Sequence, residues 1–291
     1  MKTVAVLGLG RMGEGIALRF IECRYKITVW NRSRWKAERL IKKGAIWANN
    51  PAEAAARAPI VLSMVADDVA SMDVWAGVGG AFNTMQPGAV VVECSTLSLA
   101  HVTKLAALAK QKRLVYIDCP VTGLPEAAAT GKLTLLVGAD TADLEQARPV
   151  LECISNIIRL FGPVGTGTCY KLIINLMGAV QIAALAEGIA LAGKFGIDKE
   201  AVITAIEKSA AASPQVKRHT RKMAELNFSP NPLFTTALRY KDAAYALELA
   251  ESVGSAVLLG QVATDWFKAA ANENPNQDEA AVINAISSFT V

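Results

Sequence analysis

The chain has few side chains suited to metal or thiol chemistry: two histidines, His101 and His219, and five scattered cysteines without a CxxC spacing. A structural zinc site needs four such ligands in close groups, so no metal is expected. The five cysteines (Cys23, Cys94, Cys119, Cys153 and Cys169) are expected to be reduced thiols of the cytosol. Charge of one sign is also lacking. The 30 basic and 26 acidic residues leave a net +4, which gives no broad field for nucleic acid. The one basic cluster, "KRHTRK" at 217–222, falls in a helical pattern and reads as a solvated helix face. The N-terminal "MKTVAVLGLGRMG" has a charge and a short apolar run, but glycines interrupt it and no cleavage-like segment follows, so a cytoplasmic protein without a signal peptide is expected. Only 172–193 is apolar over a membrane's width. Its polar residues Asn175, Gln181 and Glu187 point in different directions at about 100° per residue, and Glu187 sits in mid-run. With no second candidate, the segment reads as the buried centre of a fold and no membrane partner is expected.

What is present is a large apolar content, 52% against 19% charged, in a chain of 291 residues, enough for two domains with sizeable cores. Residues 1–160 alternate β-rich runs with helical patterns. Strands are predicted at 2–9, 25–31, 59–65, 89–95, 113–120, 133–139 and 156–162, and helices at 10–24, 33–44, 50–58, 98–112 and 141–155. Near-continuous Val, Ile and Leu in the strands suits a parallel sheet covered on both faces, hence a Rossmann-type doubly wound α/β domain. After about 165 the pattern is helical only, with Asp198 as a predicted N-cap and a two-proline loop at 227–234. The expected division is a nucleotide-binding domain over 1–163 and an all-α domain over 164–291, built on the long apolar helix.

Directly after the first strand and before the first helix stands Gly8-Leu9-Gly10-Arg11-Met12-Gly13, a GxGxxG turn in the context that makes it a dinucleotide-binding fingerprint. Gly8 permits the tight turn, Gly10 lets main chain approach a pyrophosphate, Gly13 allows close helix–strand packing, and the helix N-terminus offers N–H groups. The second strand ends in Asn31-Arg32-Ser33 rather than the acid that would accept bonds from ribose hydroxyls. An amide does not repel a 2′-phosphate and Arg32 can bind one, so NADP is expected in preference to NAD.

The stretch "GTGTCYKLIINLMG" puts a lysine at the start of the apolar helix. With Lys171 at zero, Asn175 falls near 40° and Gly178 near −20°, so the three share a face, with glycine expected to leave open space. An ammonium turned toward a bound nicotinamide can protonate the oxygen of a carbonyl as hydride arrives, and the amide can orient substrate or lysine.

The set "GLGRMG", "DCPVTG", "GTGTCYKLIIN" and "LRYKD" resembles the β-hydroxyacid dehydrogenases, which include 3-hydroxyisobutyrate dehydrogenase, tartronate semialdehyde reductase and the glyoxylate/succinic semialdehyde reductases. The likeness spans essentially the whole chain. It implies a substrate loop at Asp118, Pro120, Val121, Thr122 and Gly123, a catalytic Lys171 with Asn175, and a Lys241-Asp242 pair closing over nicotinamide and substrate. It also implies contacts to nicotinamide and substrate from Ser95 and Thr96, and to the cofactor ribose from the Met64-Val65 loop. This sequence departs from the family at Leu124, where the substrate loop has a second glycine, and at Ile174, where the lysine motif has a first asparagine. The expected function is NADPH-dependent interconversion of a small aldehyde or keto acid and its hydroxy acid, in a homodimer or higher homo-oligomer. The alternatives are imine reduction on the same scaffold, whose enzymes usually lack the lysine, and a cofactor-binding regulator without turnover.

Overall fold

The computed structural model describes residues 3–288; Lys2, where the first predicted strand begins, lies outside them. The chain divides into two compact units, Met1–Lys171 and Leu172–Val291.

The first unit runs β1 (Thr3–Leu7), α1 (Arg11–Glu22), β2 (Lys26–Trp30), α2 (Glu38–Lys42), β3 (Ile46–Trp47), α3 (Pro51–Ala55), β4 (Ile60–Ser63), α4 (Asp68–Ala76), β5 (Val90–Glu93), α5 (Leu99–Gln111), β6 (Val115–Asp118), β7 (Val121–Thr122), α6 (Pro125–Thr130), β8 (Leu133–Gly138), α7 (Thr141–Ile154) and β9 (Ser155–Gly162). One sheet has the order β3-β2-β1-β4-β5-β6-β8-β7, with β9 on β8. Pairing is parallel from β3 through β6, while β8 meets β6 and β7 antiparallel and β9 in parallel.

Successive strand residues face opposite sides. Val4, Val6, Val29, Leu62 and Val92 enter one core, and Ala5, Leu7, Val61 and Val91 the other. Both faces are therefore buried, which is why the strands read as unbroken apolar runs. Strand order reverses between β1 and β4, and the crevice at the carboxyl ends of such a pair is where open α/β sheets take their ligands.

The seven predicted strands all form. Two-residue β3 and β7 were not foreseen, nor was α4, whose apolar and polar residues do not separate onto faces, nor the short α6. A second difference concerns the thiols: Cys23, at the C-cap of α1, and Cys153 in α7 form a disulfide with Cα atoms 6.6 Å apart. That pairing spans 130 residues of sequence, a relation no local spacing can signal.

α8 (Thr166–Lys194) starts in the first unit and continues into the second, where it is followed by α9 (Lys199–Lys208), α10 (Pro214–Ala224), α11 (Thr236–Ser252), α12 (Leu258–Glu273) and α13 (Val282–Ser288). Asp198 caps α9 as predicted, its Oδ1 accepting from Ala201 N–H at 2.9 Å. Ile182, Ala186, Val216, Met223, Phe267 and Ile283 meet in one core. α8 is the one helix among the described residues long and apolar enough to cross a membrane. One side of it packs into that core, while Ile173, Met177 and Leu191 are exposed.

Candidate active site

The glycine turn is shaped partly by the chain and partly for something else. Gly8 has φ +93, and a Cβ there would run into the carbonyl of Met64; one on Gly13 would run into the carbonyl of Gly8. Both glycines are thus required by close packing. Gly10 differs: its φ of −68 suits any residue, and a Cβ on it would meet nothing within 4 Å. A bare position facing open space at the N-cap of α1, with no side chain capping that helix, leaves room and N–H groups for an anion. The turn therefore fits a dinucleotide pyrophosphate.

Asn31 does local work: its Oδ1 accepts from Leu9 N–H at 2.9 Å and its Nδ2 donates to Ser33 O at 3.1 Å. It buttresses the glycine turn and orders the Arg32-Ser33 corner, while Arg32 is exposed.

At the carboxyl ends of β4 and β5, Ser95 is buried and its Oγ accepts from Val65 N–H at 2.8 Å. Glu93, wholly buried, accepts from Ser95 N–H at 2.9 Å and Ser63 Oγ at 2.6 Å on one oxygen. Its other oxygen accepts from Ser71 Oγ at 2.8 Å and Trp75 Nε1 at 2.7 Å. Thr96 beside Ser95 is half-buried. Cys94 and Cys119 lie side by side beyond these strands, and their mutual hydrogen bond and burial push the Cys94 thiol well up, which keeps it unreactive.

Asp118 ends β6 and is also fully buried. Its carboxylate accepts from Thr168 Oγ1 at 2.6 Å, Thr168 N–H at 2.8 Å and Gly165 N–H at 3.1 Å. It thereby caps the N-terminus of α8, one turn before Lys171. Burial pushes the Asp118 carboxyl up to about 6, against the pull of those hydrogen bonds. From Asp118 the chain passes through Pro120 to β7 and to Gly123, whose φ of +138 favours glycine. Thr122 is half-buried, and Leu124 is 41% exposed.

Lys171 is half-buried on α8 and one turn ahead of Asn175. Asn175 Nδ2 donates to Asp242 Oδ2 at 2.6 Å, and the other oxygen of that buried carboxylate lies 2.8 Å from Lys241 Nζ. The space expected over Gly178 is not open. Gln215 and Arg239 fill it, Gln215 Nε2 lying 3.1 Å and Arg239 Nη1 3.3 Å from where a Cβ of Gly178 would stand, and Arg239 Nη1 donates to Asn175 O at 3.1 Å. Arg239 in turn pairs with Glu279 at 2.6 Å, and His219 Nε2 lies 3.2 Å from the other oxygen of Glu279. Burial raises Glu279, but Arg239 and His219 beside it hold its carboxyl below the usual range on balance. Among the described residues no group of three His, Cys, Asp or Glu side chains could hold a metal ion.

Residues 3–166 match the NAD binding domain of 6-phosphogluconate dehydrogenase, and residues 165–286 match the family described as NAD-binding of NADP-dependent 3-hydroxyisobutyrate dehydrogenase. The chain is 31% identical over 287 residues to a probable mitochondrial 3-hydroxyisobutyrate dehydrogenase of Dictyostelium discoideum, covering 97% of this chain and 89% of that one. This chain belongs to the β-hydroxyacid dehydrogenase family. It is also 29% identical over 285 residues to the chloroplastic glyoxylate/succinic semialdehyde reductase 2 of Arabidopsis thaliana, covering 98% and 79% of the two chains. A solved structure of Mycobacterium tuberculosis 3-hydroxyisobutyrate dehydrogenase with L-serine superimposes with a TM-score of 0.86 at 27% identity, covering 99% of this chain and 100% of that one.

As a β-hydroxyacid dehydrogenase, the protein is an NAD(P)-dependent oxidoreductase acting on a CH–OH group. Two residues that matter to the geometry, Glu93 and Arg239, escaped sequence reading as site residues, and Asp118, expected in the substrate loop, turns its carboxylate to the N-terminus of α8. The signal for Glu93 was available, since a carboxylate closing an otherwise apolar strand, "VVVE", has to be satisfied somewhere.

Proposed function

We propose that this β-hydroxyacid dehydrogenase is an NADPH-dependent reductase of small aldehydes or keto acids, with Lys171 as the proton donor. The observation that carries the reading is the polar set on α8 and α11: Lys171 one turn before Asn175, with the Asn175 amide held by Asp242 and Asp242 paired with Lys241. The bond from Asn175 to Asp242 ties α8 to α11, and the lysine ahead of it offers the donor that a carbonyl oxygen becoming an alkoxide needs. A bound reduced nicotinamide supplies the hydride. Gly8, Gly10 and Gly13 would hold its pyrophosphate, with Leu9, Arg11 and Met12 between them, Met64 and Val65 would lie along its ribose, and Thr96 would contact its nicotinamide. Arg32 takes the 2′-phosphate.

Ser95, Thr122 and the N–H of Gly123 orient the substrate and its carboxylate. Lys171 delivers the proton, Asn175 offers its carbonyl oxygen to substrate or lysine, and Lys241-Asp242 closes the set. The substrate is a small acid of the glyoxylate or succinic semialdehyde kind. The chain works in the cytoplasm and as a homodimer or larger homo-oligomer; the exposed apolar residues Ile173 and Met177 on α8 and Leu258, Leu259 and Val262 on α12 support the association.

The test is oxidation of NADPH and of NADH with glyoxylate, succinic semialdehyde and a cyclic imine, and reduction of NADP+ with 3-hydroxyisobutyrate. Turnover of at least one carbonyl acid or hydroxy acid, faster with the phosphorylated cofactor, is the expected result. Turnover of the imine alone, or of nothing, overturns the proposal.

A further inference from the structure

We infer that Glu93 is a positioning residue for the cofactor and carbonyl end of this site, acting through Ser95 and Val65; the inference rests on the reading above. Its carboxylate is wholly buried, and all four of its bonding partners are neutral donors: Ser63, Ser95, Ser71 and Trp75. A carboxylate offers about four acceptor positions, so this one is saturated without a neighbouring cation. An apolar side chain would fill the same volume without the cost of a buried charge. What the charge provides is a single fixed point tying the end of β4, the first residues after β5 and two turns of α4.

The consequence reaches the reacting end in two steps. Glu93 fixes the main chain of Ser95, and the Ser95 hydroxyl accepts from Val65 N–H at 2.8 Å. With its lone pair engaged by that N–H, the hydroxyl keeps its own proton to offer a carbonyl or carboxamide oxygen. Val65 follows Met64, whose main chain lies against Gly8 so closely that no side chain fits there. One carboxylate therefore sets both the direction of the Ser95 O–H and the seat of the loop on the glycine turn.

Neutral replacement cannot reproduce this. In Glu93→Gln the amide has one acceptor oxygen for two sides. Ser63 and Ser71 can reverse their hydroxyls, but Trp75 Nε1–H and Ser95 N–H can only donate, so one of them faces the new NH2 group.

The experiment is a double-mutant cycle of Glu93→Gln and Ser95→Ala, with Ser71→Ala as a milder variant that keeps the carboxylate and removes one of its donors. The readouts are kcat and KM with succinic semialdehyde, NADPH binding by fluorescence titration, and thermal melting. Displacement of a reacting group by about 1 Å typically costs about 100-fold. Glu93→Gln is expected to lower kcat/KM about 10- to 100-fold, and to cost less than about threefold more once Ser95 is alanine, because residues acting in one chain are not additive. Full additivity, or unchanged kinetics in a folded Glu93→Gln protein, overturns the inference. If Glu93→Gln does not fold, Ser71→Ala is read in the same cycle, with the same non-additivity expected and additivity again fatal. If the parent reduces no carbonyl acid, the proposed function fails separately. The cycle is then read in NADPH affinity, where non-additive weakening supports the role of Glu93 and additive or absent weakening overturns it.

Discussion

The two units bury charge in opposite ways. In the first, Glu93 and Asp118 end adjacent parallel strands, are paired in register, and are satisfied entirely by hydroxyl, indole and main-chain donors. In the second, Arg239, Glu279 and His219 bury charge of both signs within one cluster, with a guanidinium fork on the carboxylate and its third nitrogen on the carbonyl of Asn175. Two anions held by neutral donors at strand ends fix loops, because each donor belongs to a different segment of chain. A closed ion cluster fixes helix against helix, since α8, α10 and α11 each contribute a group. The first arrangement serves positions that must hold a ligand, and the second serves packing within the helical unit.

The contrast breaks most visibly in stability. Removing one partner of a buried pair leaves an uncompensated charge and costs about 3–5 kcal/mol, so Arg239→Leu should lose that much in urea unfolding of the helical unit. Replacing Arg239 and Glu279 together by apolar residues should cost clearly less than the sum of the single changes. Equal losses would mean that the cluster is not a self-cancelling unit.

Asp118 sharpens the same contrast through pH. Its carboxyl sits at about 6 in the fold against 3.8 in an unfolded chain, so between those values the folded chain holds a proton that the unfolded chain has released. The contribution of Asp118 to stability therefore falls as pH rises through that window and is level above about 6. The full span is on the order of 3 kcal/mol. Melting temperature followed from pH 4 to 7 should show a slope in the parent that Asp118→Asn lacks; parallel curves would show that another group titrates.

Smaller still, and confined to binding, is the effect at an exposed arginine. Arg32 is exposed, so Arg32→Ala should leave melting unchanged, in contrast to Arg239→Leu, while weakening NADPH but not NADH. A charged hydrogen bond of about 1.5–3 kcal/mol corresponds to roughly one to two decades of affinity. Equal losses for the two cofactors would remove Arg32 from the phosphate site.

What could be read from the sequence follows from how local each cause is. The seven main strands, the glycine turn and the Asp198 cap are written in neighbouring residues, and Lys171 with Asn175 follows from helical spacing alone. The partners of Glu93 come from β4, α4 and the start of the loop after β5, and those of Arg239 lie at 175 and 279, with His219 on the other oxygen of Glu279, so only the folded chain brings them together. Gly178 shows the limit well. Spacing placed it correctly on the face of Lys171 and Asn175, but a missing side chain does not reveal whether the space belongs to a ligand or to an arginine from another helix. Gly10 is the converse case, bare with nothing of the protein filling the space.

The central claim is that Lys171 protonates the carbonyl oxygen during reduction, and the direct measurement is the single-turnover rate of NADPH oxidation in Lys171→Met at saturating carbonyl acid, beside NADPH affinity in the same protein. Proton donation of this kind contributes about 10²–10⁴-fold, so the rate should fall by that factor while the cofactor dissociation constant stays within about twofold. A variant that reduces the carbonyl at near-parental rate would contradict the account and leave Lys171 a structural part in the first turns of an apolar helix.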